Sequence, residues 1–331
     1  MAAIVVNANG GPHLDEALRS LARQTVPPER TIVVDNASRD GSADGLEERH
    51  PGVEVLRPGE NVGFAAANNL AVRAAETCDW IALVNPDAFP EPQWLETLLA
   101  AAAAHPECTF FGSRLVSAAD PDVLDGTGDV LHVSGMAWRR DHGSPGVERS
   151  DEEVFSPCAA AALYRRDAFL EVGGFDERFF CYFEDTDLAF RLRLAGHRCL
   201  YVDAAVCRHV GSALAGRDSD FTIYHSYRNQ VWTYLKNMPL GLLLLYAPQH
   251  LLVNLLTVLA YGTRGQAGVV LRAKRDALRA LPQILRQRRA IQRDRRIGSR
   301  ELRRLMARGP GGFARTFFQR FDLRGARART V

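Results

Sequence analysis

Three groups of carboxylates and amides, far apart along the chain, are of the types that hold a nucleotide, a hard metal ion and a mobile proton. The first is Asp35-Asn36, behind the apolar run Ile32-Val33-Val34. A carboxylate there can accept hydrogen bonds from a ribose or a base edge; an Asp capping the next turn accounts for it equally well. The second is Asn85-Pro86-Asp87, behind Ala82-Leu83-Val84. Mg²⁺ takes oxygen ligands and keeps several positions for water and substrate phosphates, so one Asp held by a rigid Pro suffices. An Asx-Pro turn is the plainer reading of the same residues. The third is Glu184-Asp185-Thr186-Asp187, where an aromatic stretch runs into a helix. Acids in a first helical turn gain about 0.3–1 kcal/mol from the macrodipole, so capping explains one or two of them. Asp187 and Arg191, four apart, pair on one helix face. Asp185 is left without a local partner and is the candidate general base.

The elements that must deliver these groups alternate strand and helix. Strands are predicted at Ala3–Val6, Thr31–Asp35, Val53–Leu56 and Trp80–Val84. Helical periodicity marks about Leu14–Gln24, about Gly41–Arg49 and Phe64–Glu76. This alternation predicts an α/β fold with a mostly parallel sheet flanked by helices, whose strand ends collect ligands. A helix at about Gln93–Ala104 and a strand near Thr109–Gly112 follow. Ser117 to Pro157 is irregular apart from strand-like Val130–Val133, and reads as long loops around a site. Beyond it come Ala159–Tyr164, a helix from Arg166, the Gly173–Phe175 turn, a helix from Glu184 to a terminating Gly196, and a strand at Arg198–Val202.

With 331 residues, 47% hydrophobic and 24% charged, the chain can bury a large core, which excludes disorder over its length. Six dispersed cysteines without a CxxC pair fit neither a zinc knuckle nor a disulfide scaffold, and no signal-like apolar stretch opens the chain. A reduced cytosolic compartment follows as the expectation. The net charge of +2 hides an acidic body and a basic tail: residues 1–263 carry 21 basic and 35 acidic side chains, residues 264–331 carry 20 and 4. Residues 239–262 are apolar but interrupted by Pro248, Gln249, His250 and Asn254. A helix lying in a membrane interface suits them better than an unbroken span. The Arg-rich stretch from Arg272 to Arg308 would add about 1 kcal/mol per basic residue near anionic headgroups. Residues 1–235 are expected to form the α/β body that carries these groups. Residues 236–331 are expected to form a helical tail at the membrane surface.

In combination and order, these motifs resemble family 2 glycosyltransferases of the GT-A fold, and among them the rhamnosyltransferase-like members. The likeness rests on Val33-Val34-Asp35-Asn36-Ala37-Ser38, Glu60-Asn61-Val62-Gly63-Phe64, Asn85-Pro86-Asp87 and Gly174-Phe175-Asp176-Glu177. It covers roughly residues 3 to 235. The resemblance implies that Asp35 and Asn36 sit by the nucleotide, with Asn61, Gly63 and Asn68 in the loop and helix around it. Asp87, supported by Asn85, would hold Mg²⁺ or Mn²⁺ on the diphosphate. Asp185 would be the base, flanked by Glu184, Asp187 and Arg191, and His209 would face the metal. Two departures stand out: Asn85 replaces the first acid of the metal motif, and Asn7-Ala8-Asn9-Gly10-Gly11 replaces the commoner aromatic after the first strand.

The implied activity is inverting, metal-dependent transfer of a sugar, rhamnose first, from a dTDP- or UDP-sugar to a glycan or lipid-linked acceptor. The setting would be polysaccharide or cell-wall assembly on the cytoplasmic face of the membrane, with no nucleic acid as partner and homo-oligomer formation left open. Two rivals are a nucleotidyltransferase, which normally has a Gly-rich basic loop after its first strand, and a nucleic-acid-binding protein using the basic tail.

Overall fold

The computed structural model describes residues 1–211 and 219–309. Ser212 and the basic residues 310–331 lie outside that range. The β-branched runs form β1 (Ala2–Asn7), β2 (Arg30–Asp35), β3 (Val53–Leu56) and β4 (Trp80–Val84), joined by α1 (Pro12–Ala22), α2 (Leu46–Arg49) and α3 (Gly63–Ala74). These strands are parallel, in the order β4-β1-β2-β3. Side chains of β1 sort by parity: Ile4 and Val6 share a layer with Ala67 and Ala71 of α3, whereas Ala3 and Val5 meet Leu14 and Leu18 of α1. Burial on both faces is why such strands read as unbroken apolar runs. The helix expected over about 41–49 shrinks to α2, because Gly41 and Gly45 adopt φ of +79° and +57°.

Beyond β5 (Ala88–Pro90) and α4 (Trp94–Ala104) the sheet becomes mixed. There follow β6 (Cys108–Ser117), β7 (Leu124–Gly126), the hairpin of β8 (Asp129–Leu131) and β9 (Ala137–Arg139), β10 (Glu152–Glu153) and β11 (Ala161–Arg165). β11 lies between β4 and β6 and is antiparallel to both. Parallel pairing is therefore interrupted at β11, since the long excursion after β6 returns the chain from the end at which β4 leaves. After α5 (Arg166–Glu171) and α6 (Glu184–Leu194), β12 (Arg198–His209) pairs in parallel with β6. The predicted strand at Arg198–Val202 does not stop there: the ladder shifts register between Val202 and Val206 and pairing resumes to His209.

The remaining helices are α7 (Asp220–Asn237), α8 (Leu240–Gly262), α9 (Ala267–Arg279), α10 (Leu281–Arg293) and α11 (Ser299–Leu305). They pack on the body: Leu131, Phe155 and Phe190 share a core cluster with Tyr234, Leu242 and Leu302. The expected boundary at 235/236 falls inside α7, where the Lys236 ammonium lies 2.7 Å from Asp176 and 2.8 Å from Asp187. Buried contacts cross it. In α8, Leu242, Tyr246, His250, Val253, Thr257 and Tyr261 are buried on one side, while Leu244, Leu251 and Leu255 on the outside stay more than half exposed.

Candidate active site

Because β1, β2 and β4 are parallel, Asp35 and the Asn85–Asp87 turn leave the same edge of the sheet. β11 runs the other way, so Cys158–Ala160, just before it, reach that edge too. The Asn85 N–H donates to the Ala160 carbonyl at 2.8 Å.

On the β2 side, Asn7 is fully buried and donates from Nδ2 to the hydroxyls of Ser38 (3.0 Å) and Ser42 (2.9 Å). This braces the loop that carries Asp35, whose Oδ1 accepts from the Ser38 N–H at 3.2 Å. Asn36 donates to Asn61 Oδ1 at 2.9 Å and accepts from the Val62 N–H at 2.8 Å, tying the loop after β2 to the start of α3. Gly63 stands at φ +85°, and a Cβ there would lie 2.6 Å from the Phe180 ring and 2.7 Å from the Phe180 carbonyl. The expected nucleotide loop thus abuts the aromatic turn before α6, and the Ala65 N–H donates to that carbonyl at 3.1 Å. Asn68 lies in α3, the helix expected around the nucleotide; it is 1% exposed, and its amide nitrogen donates to the Phe64 carbonyl one turn back. Its neighbour Asn69 clasps the Phe175 backbone, donating to the carbonyl at 2.8 Å and accepting from the N–H at 2.9 Å.

On the β4 side, Asp87 is buried, and its Oδ1 stands 3.4 Å from His209 Nε2. His209 is the last residue of β12, held opposite Ala88 of β5 by the ladder. Its Nδ1 lies 2.7 Å from Asp125 Oδ2. Asp125 also accepts from Arg139 Nη1, and its backbone carbonyl lies 2.9 Å from His142 Nδ1. Burial favours the neutral acid at Asp87, but the hydrogen bond and charge of His209 outweigh it and hold the carboxyl below its ordinary range. Asp125 is likewise pushed up by burial and carried well below the usual range by His142, His209 and Arg139. Burial opposes a charged imidazole at His209, yet its two carboxylate partners raise its basicity.

These residues fit a divalent cation. With Nδ1 donating its proton to Asp125, the ring turns a lone pair at Nε2 toward the Asp87 carboxylate, and two facing acceptors need a cation or a proton between them.

Asp185 sits in the first turn of α6, at the edge where Cys158–Ala160 arrive. The turn before it is strained: Phe180, Tyr182 and Phe183 have φ of +66°, +67° and +67°. Asp185 Oδ1 accepts from the Thr186 N–H at 2.7 Å. It is half-buried, and burial raises its pKa above the ordinary value against the pull of the Thr186 and Ala159 N–H groups and Arg139. Oxygens of Asp185 and Asp129 and the Cys158 sulfur all lie within 4.8 Å of one another. Glu184 is buried with Oε2 lacking a partner among the described residues, and burial followed by the Asp185 charge pushes it well up.

Asp187 pairs with Arg191 at 2.9 Å, as the four-residue spacing predicts. It also accepts from Lys236 and Asn237 of α7, and Lys236 is 1% exposed. Asp187 therefore belongs to a buried ion network. A separate cleft of about 500 Å³ between the Gly173–Glu177 turn and α10 has none of Asp35, Asp87 and Asp185 in its lining.

Sequence reasoning placed loops from Ser117 to Pro157 around the site without singling out Asp125, Asp129, Arg139 or His142. The available signal was Asp125-Gly126-Thr127-Gly128-Asp129, two acids spaced by glycines where no cap is needed.

The model of glycosyl transferase family 2 matches residues 2–173, a span that ends before Asp185 and His209. The N-acetylglucosaminyl-diphospho-decaprenol L-rhamnosyltransferase of Mycobacterium tuberculosis is 33% identical over 238 residues, 65% of this chain and 77% of that protein. The pre-mycofactocin glycosyltransferase of the same organism is 34% identical over 208 residues, 61% of this chain and 40% of that protein. Among solved structures, the mannosyltransferase PcManGT of Pyrobaculum calidifontis, in complex with GDP-Man and Mn²⁺, matches with a TM-score of 0.53 at 18% identity, over 88% of this chain and 84% of that one. GalNAc-T7 with UDP, GalNAc and Mn²⁺ matches with a TM-score of 0.58 at 15% identity, over 71% and 47%. These two show the fold, GT-A.

Proposed function

The chain belongs to glycosyl transferase family 2 and is an enzyme; from that premise we propose that it is an inverting, metal-dependent transferase with Asp185 as its general base. The sugar, L-rhamnose first, comes from a dTDP- or UDP-sugar and goes to a hydroxyl of a polysaccharide or lipid-linked glycan. The donor and acceptor classes follow the relative that acts on N-acetylglucosaminyl-diphospho-decaprenol. Family membership takes the place of the nucleotidyltransferase and nucleic-acid-binding readings.

In this account Asp35 and Asn36 receive the nucleoside, and Asn61 and Gly63 shape the loop beside it. Asp87 and His209 hold a divalent metal that, when bound, neutralises charge on the departing diphosphate. Asn85 fixes the turn through its backbone. Asp185 takes the proton of the acceptor hydroxyl from the face opposite the leaving group. The acceptor oxygen bonds to the anomeric carbon as the sugar–phosphate bond breaks, so a single displacement inverts that centre. The observation supporting this most is the continuous line of contacts Asp87–His209–Asp125–Arg139, with Arg139 paired across the hairpin to Asp129 beside Asp185.

The test is transfer from a panel of nucleotide-sugars to a polyprenyl-diphosphate N-acetylglucosamine, with Mg²⁺, Mn²⁺ or chelator. Turnover with dTDP-rhamnose that vanishes on chelation, with product of inverted anomeric configuration, is expected. Metal-independent turnover or retained configuration contradicts the reading.

A lipid-linked acceptor needs an enzyme at the membrane. α8 is long and apolar enough to cross a bilayer by length and composition, yet one side of it is packed on the body. Its outer side carries exposed Leu244, Leu251, Leu255 and Leu259, and α9–α10 add Leu271, Leu278 and Leu285 at seven-residue spacing among Arg272, Arg275, Arg279 and Arg286. Apolar side chains ringed by arginines suit an anionic bilayer surface on the cytoplasmic side.

A further inference from the structure

The turn before α6 carries three bulky residues at positive φ, Phe180, Tyr182 and Phe183, and leads directly into Asp185. Such a backbone persists only where its surroundings over-determine it. Here every carbonyl from Arg178 to Tyr182 is met by a donor from another element. Arg228 Nη2, on α7, donates to the Arg178 and Phe179 carbonyls at 3.0 Å each. The next residue, Asn229, is fully buried, and its amide donates to the carbonyls of Phe179 (2.9 Å), Cys181 (2.9 Å) and Tyr182 (2.7 Å). The Phe180 carbonyl takes the Ala65 N–H of α3. Asn229 Oδ1 in turn accepts from Arg228 Nε at 2.9 Å, so the amide is held by both of its ends. Lys236, seven residues on and so on the same helix face, reaches Asp176 and Asp187 on either side of the turn.

We propose that Asn229 is a positioning residue for the transfer step: its amide clamps the turn so that α6 begins where Asp185 meets the acceptor hydroxyl. The proposal rests on Asp185 being the base. Three carbonyls converging on one buried point repel one another unless a donor sits among them, and the Asn229 amide is that donor. Without it the Cys181 and Tyr182 carbonyls lose this partner, and the turn relaxes toward ordinary backbone angles, carrying Asp185 with it. The nucleotide side is held by other groups. Asn36 and Asn61 tie the loop after β2 to the start of α3, and the Ala65 N–H holds the Phe180 carbonyl from that side. Loss of the Asn229 clamp is therefore felt in turnover and not in donor binding.

The test is the kcat of Asn229→Ser and Arg228→Lys, with nucleotide-sugar affinity and thermal unfolding measured on the same preparations. Serine puts one hydroxyl in place of the amide. Lysine keeps the charge of the half-buried Arg228 but loses the Nε donor to Asn229, and it reports on the clamp should the serine variant not fold. A misplacement of about 1 Å can cost about 10²-fold. At a temperature where the variants are folded, kcat should fall at least about tenfold in Asn229→Ser and less in Arg228→Lys, with donor affinity within a few-fold of wild type. A packing role alone lowers the unfolding temperature and leaves kcat where it was. Wild-type kcat in a folded variant, beside an inactive Asp185→Asn enzyme, overturns the proposal, as does donor affinity lost in step with kcat. An active Asp185→Asn enzyme instead removes the base reading, and this one with it.

Discussion

At Asp87 one buried carboxylate faces one imidazole, the pair proposed to hold the metal that grips the donor. The imidazole is aimed by Asp125 on its far nitrogen, an arrangement whose loss typically costs 10–100-fold in metal affinity. Asp87→Ala removes a ligand outright, so the enhancement of nucleotide-sugar binding by Mn²⁺ disappears, and calorimetric titration with and without metal reads it directly. Equal enhancement in mutant and wild type refutes the assignment. Asp87 and Asp185 could be proposed from the sequence because each follows a strong local signal, a buried strand with Asn-Pro or an acidic first turn. Asp125, Asp129 and Arg139 were not, because their strands are three residues long and half polar. Nor was Lys236: a lysine on a helix reads as a solvent-facing charge, and only the fold shows Asp176 and Asp187 waiting for it.

Among the elements, the contact of α3 with the aromatic turn before α6 joins the proposed nucleotide loop to the segment that leads to Asp185. At Gly63 neither space nor φ admits a side chain. Gly63→Ala should cost about 1–3 kcal/mol of stability from backbone strain alone, and should raise the KM for donor more than it lowers kcat. Thermal unfolding and donor saturation curves measure both; a variant unchanged in each shows that the close approach is unimportant. The first four strands were readable since burial on both faces leaves apolar runs. The length of β12 was hidden by its register shift, and that shift brings His209 back into the ladder beside Asp87.

Over the whole molecule, the sequence divides at the apolar stretch while the packing does not. Composition sees 23 residues of α8 without a single charge; it cannot see that one side of them is packed against the body and the other left bare. This asymmetry makes the membrane reading testable without disturbing the core. The double substitution Leu251→Glu and Leu255→Glu alters the bare side only. Each leucine taken out of lipid forfeits about 1.5–3 kcal/mol, so co-sedimentation with anionic vesicles should fall at least about tenfold while unfolding is unchanged. Undiminished sedimentation would set lipid aside.

Donor grip and proton removal are assigned to opposite sides of one cleft and should come apart by mutation. Asp185→Asn, assayed for transfer and for nucleotide-sugar affinity in the same preparation, separates them. Transfer should drop by about 10²–10⁴ with donor affinity within a few-fold of wild type; comparable turnover, or affinity lost in step with turnover, would contradict the account.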